Sequence, residues 1–276
     1  MKIKLASSYG FCFGVKRAIK IAENEKNAST IGPLIHNNEE ITRLRINFNV
    51  DTLEDINQIE GIKKAIIRTH GIPKEDLKTL RTKGVDIIDA TCPYVTKPQK
   101  ICEKMSKEGY DIVIFGDENH PEVKGVKSYA EGPVFVVLNV KELSDIKLGG
   151  KVAVVSQTTR KAEEFAAIVS ALVRRHKEVR VFNTICNATL ENQDATRTLS
   201  KEADIMIVIG GKNSSNTKQL LYIAKEYCKD SHLVESDREL EKKWFVDKKI
   251  CGISAGASTP DWIINKIIEK ISQFKV

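Results

Sequence analysis

Residues 92–125 read CPYVTKPQKICEKMSKEGYDIVIFGDENHPEVKG, and residues 186–219 read CNATLENQDATRTLSKEADIMIVIGGKNSSNTKQ. The two stretches can be laid over each other: a cysteine, a polar helical stretch, an apolar run, a glycine and a polar loop. Gly116 and Gly210 stand at the same offset from their cysteines, as do His120 and Ser214, and Glu122 and Asn216. A repeat of this length marks one supersecondary unit used more than once. A looser copy opens at Cys12 and runs to Ile31-Gly32-Pro33-Leu34-Ile35-His36. Each copy then has a second apolar run with a polar end: AIIRTHG with His70, VAVVSQTT with Thr158, and CGISAGAST with Ser258. Every unit therefore offers a thiol and two polar loops. Three copies about a pseudo-threefold axis would bring Cys12, Cys92 and Cys186 to one point.

Between these loops, apolar runs alternate with amphipathic stretches. Strands are expected at 3–7, 65–68, 87–89, 112–115, 134–138, 152–156, 179–182, 205–209 and 250–254. Helices are expected at 15–24, 96–108, 160–175, 190–201, 216–225 and 261–274. Continuous Val/Ile runs suit strands covered on both faces of a parallel sheet, and the alternation reads as βαβ units. The fold class is α/β, with mainly parallel sheets in three related units, 1–91, 92–185 and 186–276. In such sheets ligands bind beyond the carboxyl ends of the strands, where the cysteines and the polar loops fall.

The chain has 276 residues, 41% hydrophobic and 29% charged, as in a soluble globular protein. No apolar run approaches the roughly 18 residues of a membrane span. The opening MKIKLASSYGFCFG has no apolar signal core, so a cytoplasmic location without membrane association is expected. The net charge of +7 suits an anionic small substrate or an acidic partner. Lysines are dispersed and aromatics are only 6%, so no nucleic-acid partner is expected.

Six cysteines without a secretion signal favour metal or redox chemistry over disulfides. Structural zinc sites usually draw two ligands from a close pair, and Cys12, Cys92 and Cys186 are far apart in sequence. A cubane held by three cysteines is the other arrangement, with its fourth iron open to a substrate oxygen. Ordinary buried cysteines are the plain alternative, and they are the reading adopted for Cys102, Cys228 and Cys251. The loop histidines His36, His70 and His120 suit an anion but also ordinary loop surface. Ser214, Ser215 and Asn216 could cradle an anion at a helix N-terminus or simply cap it. Ser258 and Thr158 carry the same ambiguity. Glu122 could deliver a proton or sit in a first helical turn favoured by the dipole.

GFCFGVKRAI, DATCPYVTK, ENHPEV, SQTT, the TIC at Cys186, GGKNSSNTKQL and SAGASTPDW occur in this order along nearly the whole chain. Together they resemble the 4-hydroxy-3-methylbut-2-enyl diphosphate reductase (LytB) family. The resemblance implies a cloverleaf of three α/β units around a [4Fe–4S] cluster with three cysteine ligands, Cys12, Cys92 and Cys186. It implies the last step of the non-mevalonate isoprenoid pathway, in which an allylic diphosphate loses its hydroxyl. By the same resemblance, His36, His70, His120, Ser214, Ser215, Asn216 and Ser258 bind substrate. Glu122 supplies the proton, Thr158 holds the hydroxyl, and reduced ferredoxin or flavodoxin supplies electrons. Pro98-Gln99 departs from the family's usual Val-His, and Ser254 from its usual threonine. An iron–sulfur hydro-lyase and an iron–sulfur redox or nucleic-acid-binding sensor are the rival readings.

Overall fold

The computed structural model describes residues 1–274. Its strands are β1 (Lys2–Leu5), β2 (Ala28–Ile31), β3 (Val50–Leu53), β4 (Lys64–Ile67), β5 (Asp86–Asp89) and β6 (Asp111–Phe115), followed by β7 (Val134–Val137), β8 (Lys151–Ser156), β9 (Glu178–Val181), β10 (Ile205–Ile209), β11 (Ser231–Val234) and β12 (Ile250–Ala255). The α-helices are α1 (Phe13–Glu25), α2 (Asn38–Phe48), α3 (Lys74–Thr82), α4 (Pro93–Lys107) and α5 (Pro121–Lys127), then α6 (Val140–Ser144), α7 (Ala162–Arg175), α8 (Asn187–Ser200), α9 (Ser215–Tyr227) and α10 (Asp261–Ser272).

The strands form three four-stranded sheets, ordered β3-β2-β4-β5, β7-β6-β8-β9 and β11-β10-β12-β1. Every pairing is parallel. The sheets share one plan: two inner strands, an edge strand beside the first, and a fourth strand beside the second. The fourth strands β5 and β9 run into Cys92 and Cys186. In the remaining sheet that place is taken by the first strand of the chain, β1, which runs into Cys12. A unit cut at 1–91 is therefore corrected by the pairing: β1 belongs to the sheet built by β10–β12.

The chain divides into two compact units. One comprises Met1–Lys16, His36–Arg43 and the chain from Asn187 onward; the other comprises Arg17–Ile35 and Leu44–Cys186. Within the first, successive residues of β10 face opposite sides, as the pleat requires. Ile205, Ile207 and Ile209 pack with Ile263, Ile264, Ile267 and Ile271 of α10. Met206 and Val208 pack with Ala195 and Leu199 of α8 and with Leu220 and Ala224 of α9. Each such fully buried Ile stabilises the fold by about 1.5–3 kcal/mol. Both faces being covered explains why β10 reads IMIVI without a polar residue.

Within the second unit, Ile112, Ile114, Ala153 and Val155 of β6 and β8 pack against Cys102 and Met105 of α4. Pro98 lies inside α4, in its second turn, without ending the helix. Ser254 is buried on β12, where its Oγ lies 2.7 Å from Thr196 Oγ1 of α8. Neither departure from the family pattern disturbs its element. No helix of the described residues is long and apolar enough to cross a membrane.

Candidate active site

The three cysteines occupy one recurring backbone arrangement. The N–H of Cys12 donates to the carbonyl of Ala257 at 3.2 Å, that of Cys92 to Thr69 at 3.0 Å, and that of Cys186 to Thr158 at 3.0 Å. The three acceptors stand at the same place in three similar turns after the second inner strands. In those turns Gly71 N–H donates to Arg68, Arg160 to Gln157 and Thr259 to Gly256. A helix follows each cysteine, beginning at Phe13, Pro93 and Asn187. Helix N-termini favour negative charge, such as thiolate or inorganic sulfide. In this register Thr158 corresponds to Thr69 and Ala257, while His70 corresponds to Thr159 and Ser258. The sequence had aligned His70 with Thr158, one residue out.

Cysteine environments separate into two sets. No disulfide joins any of them, and Cys12, Cys92 and Cys186 are partly exposed. Cys102, Cys228 and Cys251 are buried in the hydrophobic cores. Burial pushes the Cys102 thiol up to about 12, and burial, with Cys228 nearby, does the same to Cys251. Cys228 is raised as well, chiefly by burial. Such thiols keep their protons and are poor metal ligands.

In the second unit, Pro121 begins α5 and His120 caps it, its Nδ1 accepting from Glu122 N–H at 3.2 Å. An accepting Nδ1 leaves the proton of a neutral ring on Nε2. His70 meets His120 edge to face, with ring centroids 5.5 Å apart. The turn bearing His70 needs Gly71 at φ +71°, where a Cβ would also meet Gln99 Nε2 at 2.8 Å. The Glu122 carboxylate is 2% exposed. It accepts from Thr158 N–H and from Thr158 Oγ1, both at 2.7 Å. Burial raises its pKa to about 7, partly opposed by those two hydrogen bonds. It is therefore a buried acid poised near neutrality and wired to a hydroxyl, not a solvated first-turn glutamate. Thr158 does not cap α7, whose N-cap is Lys161. Gln157, for which no sequence pattern predicts a role, ties the two polar loops of this sheet together. Its Oε1 accepts from Asp117 N–H and its Nε2 donates to Thr159 Oγ1, both at 3.0 Å.

In the first unit, Ser214 caps α9 by accepting from Thr217 N–H at 3.3 Å. Ser215 begins the helix and is partly exposed. Asn216 is 4% exposed, yet its amide nitrogen and oxygen both lack a hydrogen-bond partner. An unsatisfied buried amide is costly and calls for a partner such as a water, an ion or a ligand. Ser258 is partly exposed and does not cap α10, whose N-cap is Pro260. The His36 segment lies against the same loop region: a Cβ on Gly211 would come 2.3 Å from the His36 carbonyl oxygen. Glu40, buried at the start of α2, accepts from Trp262 Nε1 at 3.0 Å and pairs with Arg43, fixing that segment to α10.

The "LytB protein" family model matches residues 3–272. This chain belongs to the LytB family. Its relatives within the family include a protein of Campylobacter curvus (strain 525.92), 68% identical over 99% of this chain and 100% of the relative. A protein of Campylobacter jejuni (serotype O:23/36, strain 81-176) is 67% identical over the full length of both. Both are called 4-hydroxy-3-methylbut-2-enyl diphosphate reductase. A solved structure of (E)-4-hydroxy-3-methyl-but-2-enyl diphosphate reductase, described as the terminal enzyme of the non-mevalonate pathway, is 42% identical. It covers 98% of this chain and 99% of its own, with a TM-score of 0.71. The reductase of Plasmodium falciparum is 27% identical and covers 99% of this chain and 89% of its own, with a TM-score of 0.92. The LytB family thus carries the α/β fold expected from the sequence.

Proposed function

We propose that the chain removes the hydroxyl of 4-hydroxy-3-methylbut-2-enyl diphosphate reductively, giving isopentenyl and dimethylallyl diphosphates and water. The substrate takes up two electrons and two protons while its allylic C–O bond breaks. The observation that carries this reading is the arrangement repeated at Cys12, Cys92 and Cys186, in a chain whose close relatives bear the reductase name. These three residues would hold a [4Fe–4S] cluster. The donor set fits: three thiols of one backbone setting, each at a helix start, while the other three cysteines are buried with raised pKa. When bound, that cluster supplies electrons and an iron without a protein ligand, which acts as a Lewis acid toward the hydroxyl.

The protein's own residues supply the rest. Glu122, protonated below about pH 7, gives its proton to the departing oxygen through Thr158. Thr158 Oγ1 can take that proton while passing on its own, so it serves as both relay and anchor for the substrate hydroxyl. His120, fixed through Nδ1 by the Glu122 N–H, presents its other ring nitrogen toward substrate. Asn216, Ser214, Ser215 and Ser258 bind the diphosphate, helped by the N-terminal N–H groups of α9; His36 and His70 complete that binding. Remote binding of the diphosphate holds the reacting carbon in place. Reduced ferredoxin or flavodoxin supplies the electrons, and the reading places the chain in the cytoplasm with them.

Asn216→Ala is expected to raise KM for the diphosphate roughly tenfold to a hundredfold, the cost of losing hydrogen bonds to a charged group. Its iron content should stay normal. Unchanged KM in steady-state assays would remove Asn216 from the diphosphate site. The function as a whole is tested by anaerobic reconstitution with iron and sulfide, then assay with reduced methyl viologen and the hydroxylated diphosphate. Reductant-dependent formation of both products is expected. Turnover without reductant would indicate a hydro-lyase, and nucleic-acid binding without turnover would indicate a sensor.

A further inference from the structure

A groove of about 720 Å³ runs along α4 on the second unit. Thr91 and Pro93, the residues on either side of Cys92, line one end of it. Lys97, Lys100 and Lys104 also line it and are exposed. Their spacing along α4 places them in one stripe of the helix surface. Arg17 adds a fourth cation, its guanidinium held by the carbonyls of Thr91 at 3.2 Å and Asp89 at 3.1 Å. Ile101, Phe182 and Pro93 give the groove apolar contact surface.

Few acidic groups offset this charge. The Asp89 side chain lines the groove but is turned to its own loop, accepting from Thr91 N–H at 2.8 Å. Lys104 lies 3.9 Å from Glu108. Glu103 is occupied by Lys74 and Lys107. Lys97 and Lys100 make no ion pair among the described residues. Four cations around an apolar floor, ending at a cysteine, fit neither a solvated helix face nor a small-molecule pocket of ordinary balance. They fit the rim and centre of a protein-docking patch.

We propose that this groove is where an acidic one-electron carrier protein docks to deliver electrons at Cys92. The inference rests on the reductase reading, because reductive loss of hydroxide needs two electrons that the substrate does not contain. Two reduced carriers would each give one electron and leave oxidised, and the substrate would receive both with two protons. Docking against Thr91 and Pro93 puts the carrier within one residue of Cys92. Charge complementarity of this kind sets association rate and partner choice more than intrinsic affinity. A small chemical reductant does not need it.

The test uses the reconstituted full-length enzyme carrying Lys97→Glu and Lys100→Glu together. A control carries Lys78→Glu and Lys83→Glu, exposed on a different helix and its end, with the same net charge change. Turnover is driven in one arm by reduced ferredoxin or flavodoxin and in the other by reduced methyl viologen. The groove variant should raise KM for the carrier about tenfold or more and flatten its dependence on salt. Viologen-driven kcat and KM for the diphosphate should stay within about twofold of the unsubstituted enzyme, and the control should behave like it in both arms. An unchanged carrier KM would overturn the proposal, as would an equal loss in both arms or an equal effect of the control. Lys104→Glu alone should shift carrier KM in the same direction, giving a second reading if the double variant folds poorly. Absence of viologen-driven turnover in the unsubstituted enzyme would instead count against the reductase reading.

Discussion

Glu122→Gln lowers kcat roughly a hundred- to ten-thousand-fold, the usual contribution of a positioned general acid, while iron content and KM for the diphosphate hold. Gln has the shape of the protonated glutamic acid. Its oxygen can still accept from Thr158 N–H, and its amide can face Thr158 Oγ1, so the loss is of a proton and not of geometry. The same substitution should stabilise the fold at alkaline pH. Burial raises the Glu122 pKa to about 7 from an ordinary value of 4.5. Below pH 4.5 both folded and unfolded states carry the proton and the site costs nothing. As pH rises toward 7 the unfolded chain ionises first, and folding loses up to about 3 kcal/mol before levelling off. Denaturation midpoints of enzyme and variant should therefore agree near pH 4.5 and diverge in the variant's favour by pH 8. In the unsubstituted enzyme, kcat should fall as pH rises through about 7 while Glu122 loses its proton. Near-normal turnover by Glu122→Gln would remove the proton-donor role. A stability difference independent of pH would contradict the buried-acid account.

Cys92→Ser should abolish the visible absorbance of the cluster and reduce turnover below detection, with little change in secondary structure. Cys92 is the N-cap of α4 and makes no side-chain capping bond there. Serine is a preferred N-cap, so the helix should hold while the soft ligand is lost. Cys102→Ala is the contrasting case. Its thiol is fully buried among Ile112, Ile114 and Met105, and its removal should lower thermal stability while leaving iron content and the absorbance spectrum intact. The two variants together separate a ligand from a packing residue. A four-iron spectrum in Cys92→Ser, or a lost spectrum in Cys102→Ala, would reverse that assignment.

The inner strands β6, β8 and β10 were legible in the sequence because burial on both faces leaves each an almost unbroken apolar run. DIVIF at β6, VAVVS at β8 and IMIVI at β10 are of this kind. The inner strand β2 (ASTI) and the edge strands β3 (VDTL) and β11 (SHLV) were not, being four residues long and broken up by polar residues. α2 and α3 were missed because few of their residues are apolar, and α5 because it is seven residues long with a proline and a glycine. That β1 closes the sheet of β10–β12 is a long-range pairing no local pattern encodes. At the site, spacing pointed to the cysteines and to Glu122. It could not reveal that Glu122 turns back onto Thr158, that Asn216 is buried without partners, or that Thr69, Thr158 and Ala257 share one turn position. Those facts depend on loops distant in sequence being brought together by the strands before them.

The most direct test of the central claim is the Mössbauer spectrum of the reconstituted iron-57 enzyme, taken with and without the hydroxylated diphosphate. Three cysteine ligands leave one iron of a four-iron cluster without a protein ligand. The account predicts that this one site differs from the other three and shifts when the diphosphate binds, while the three cysteine-held irons change little. Equivalent irons that ignore the diphosphate, or a fully reconstituted protein that holds no four-iron cluster, would contradict it.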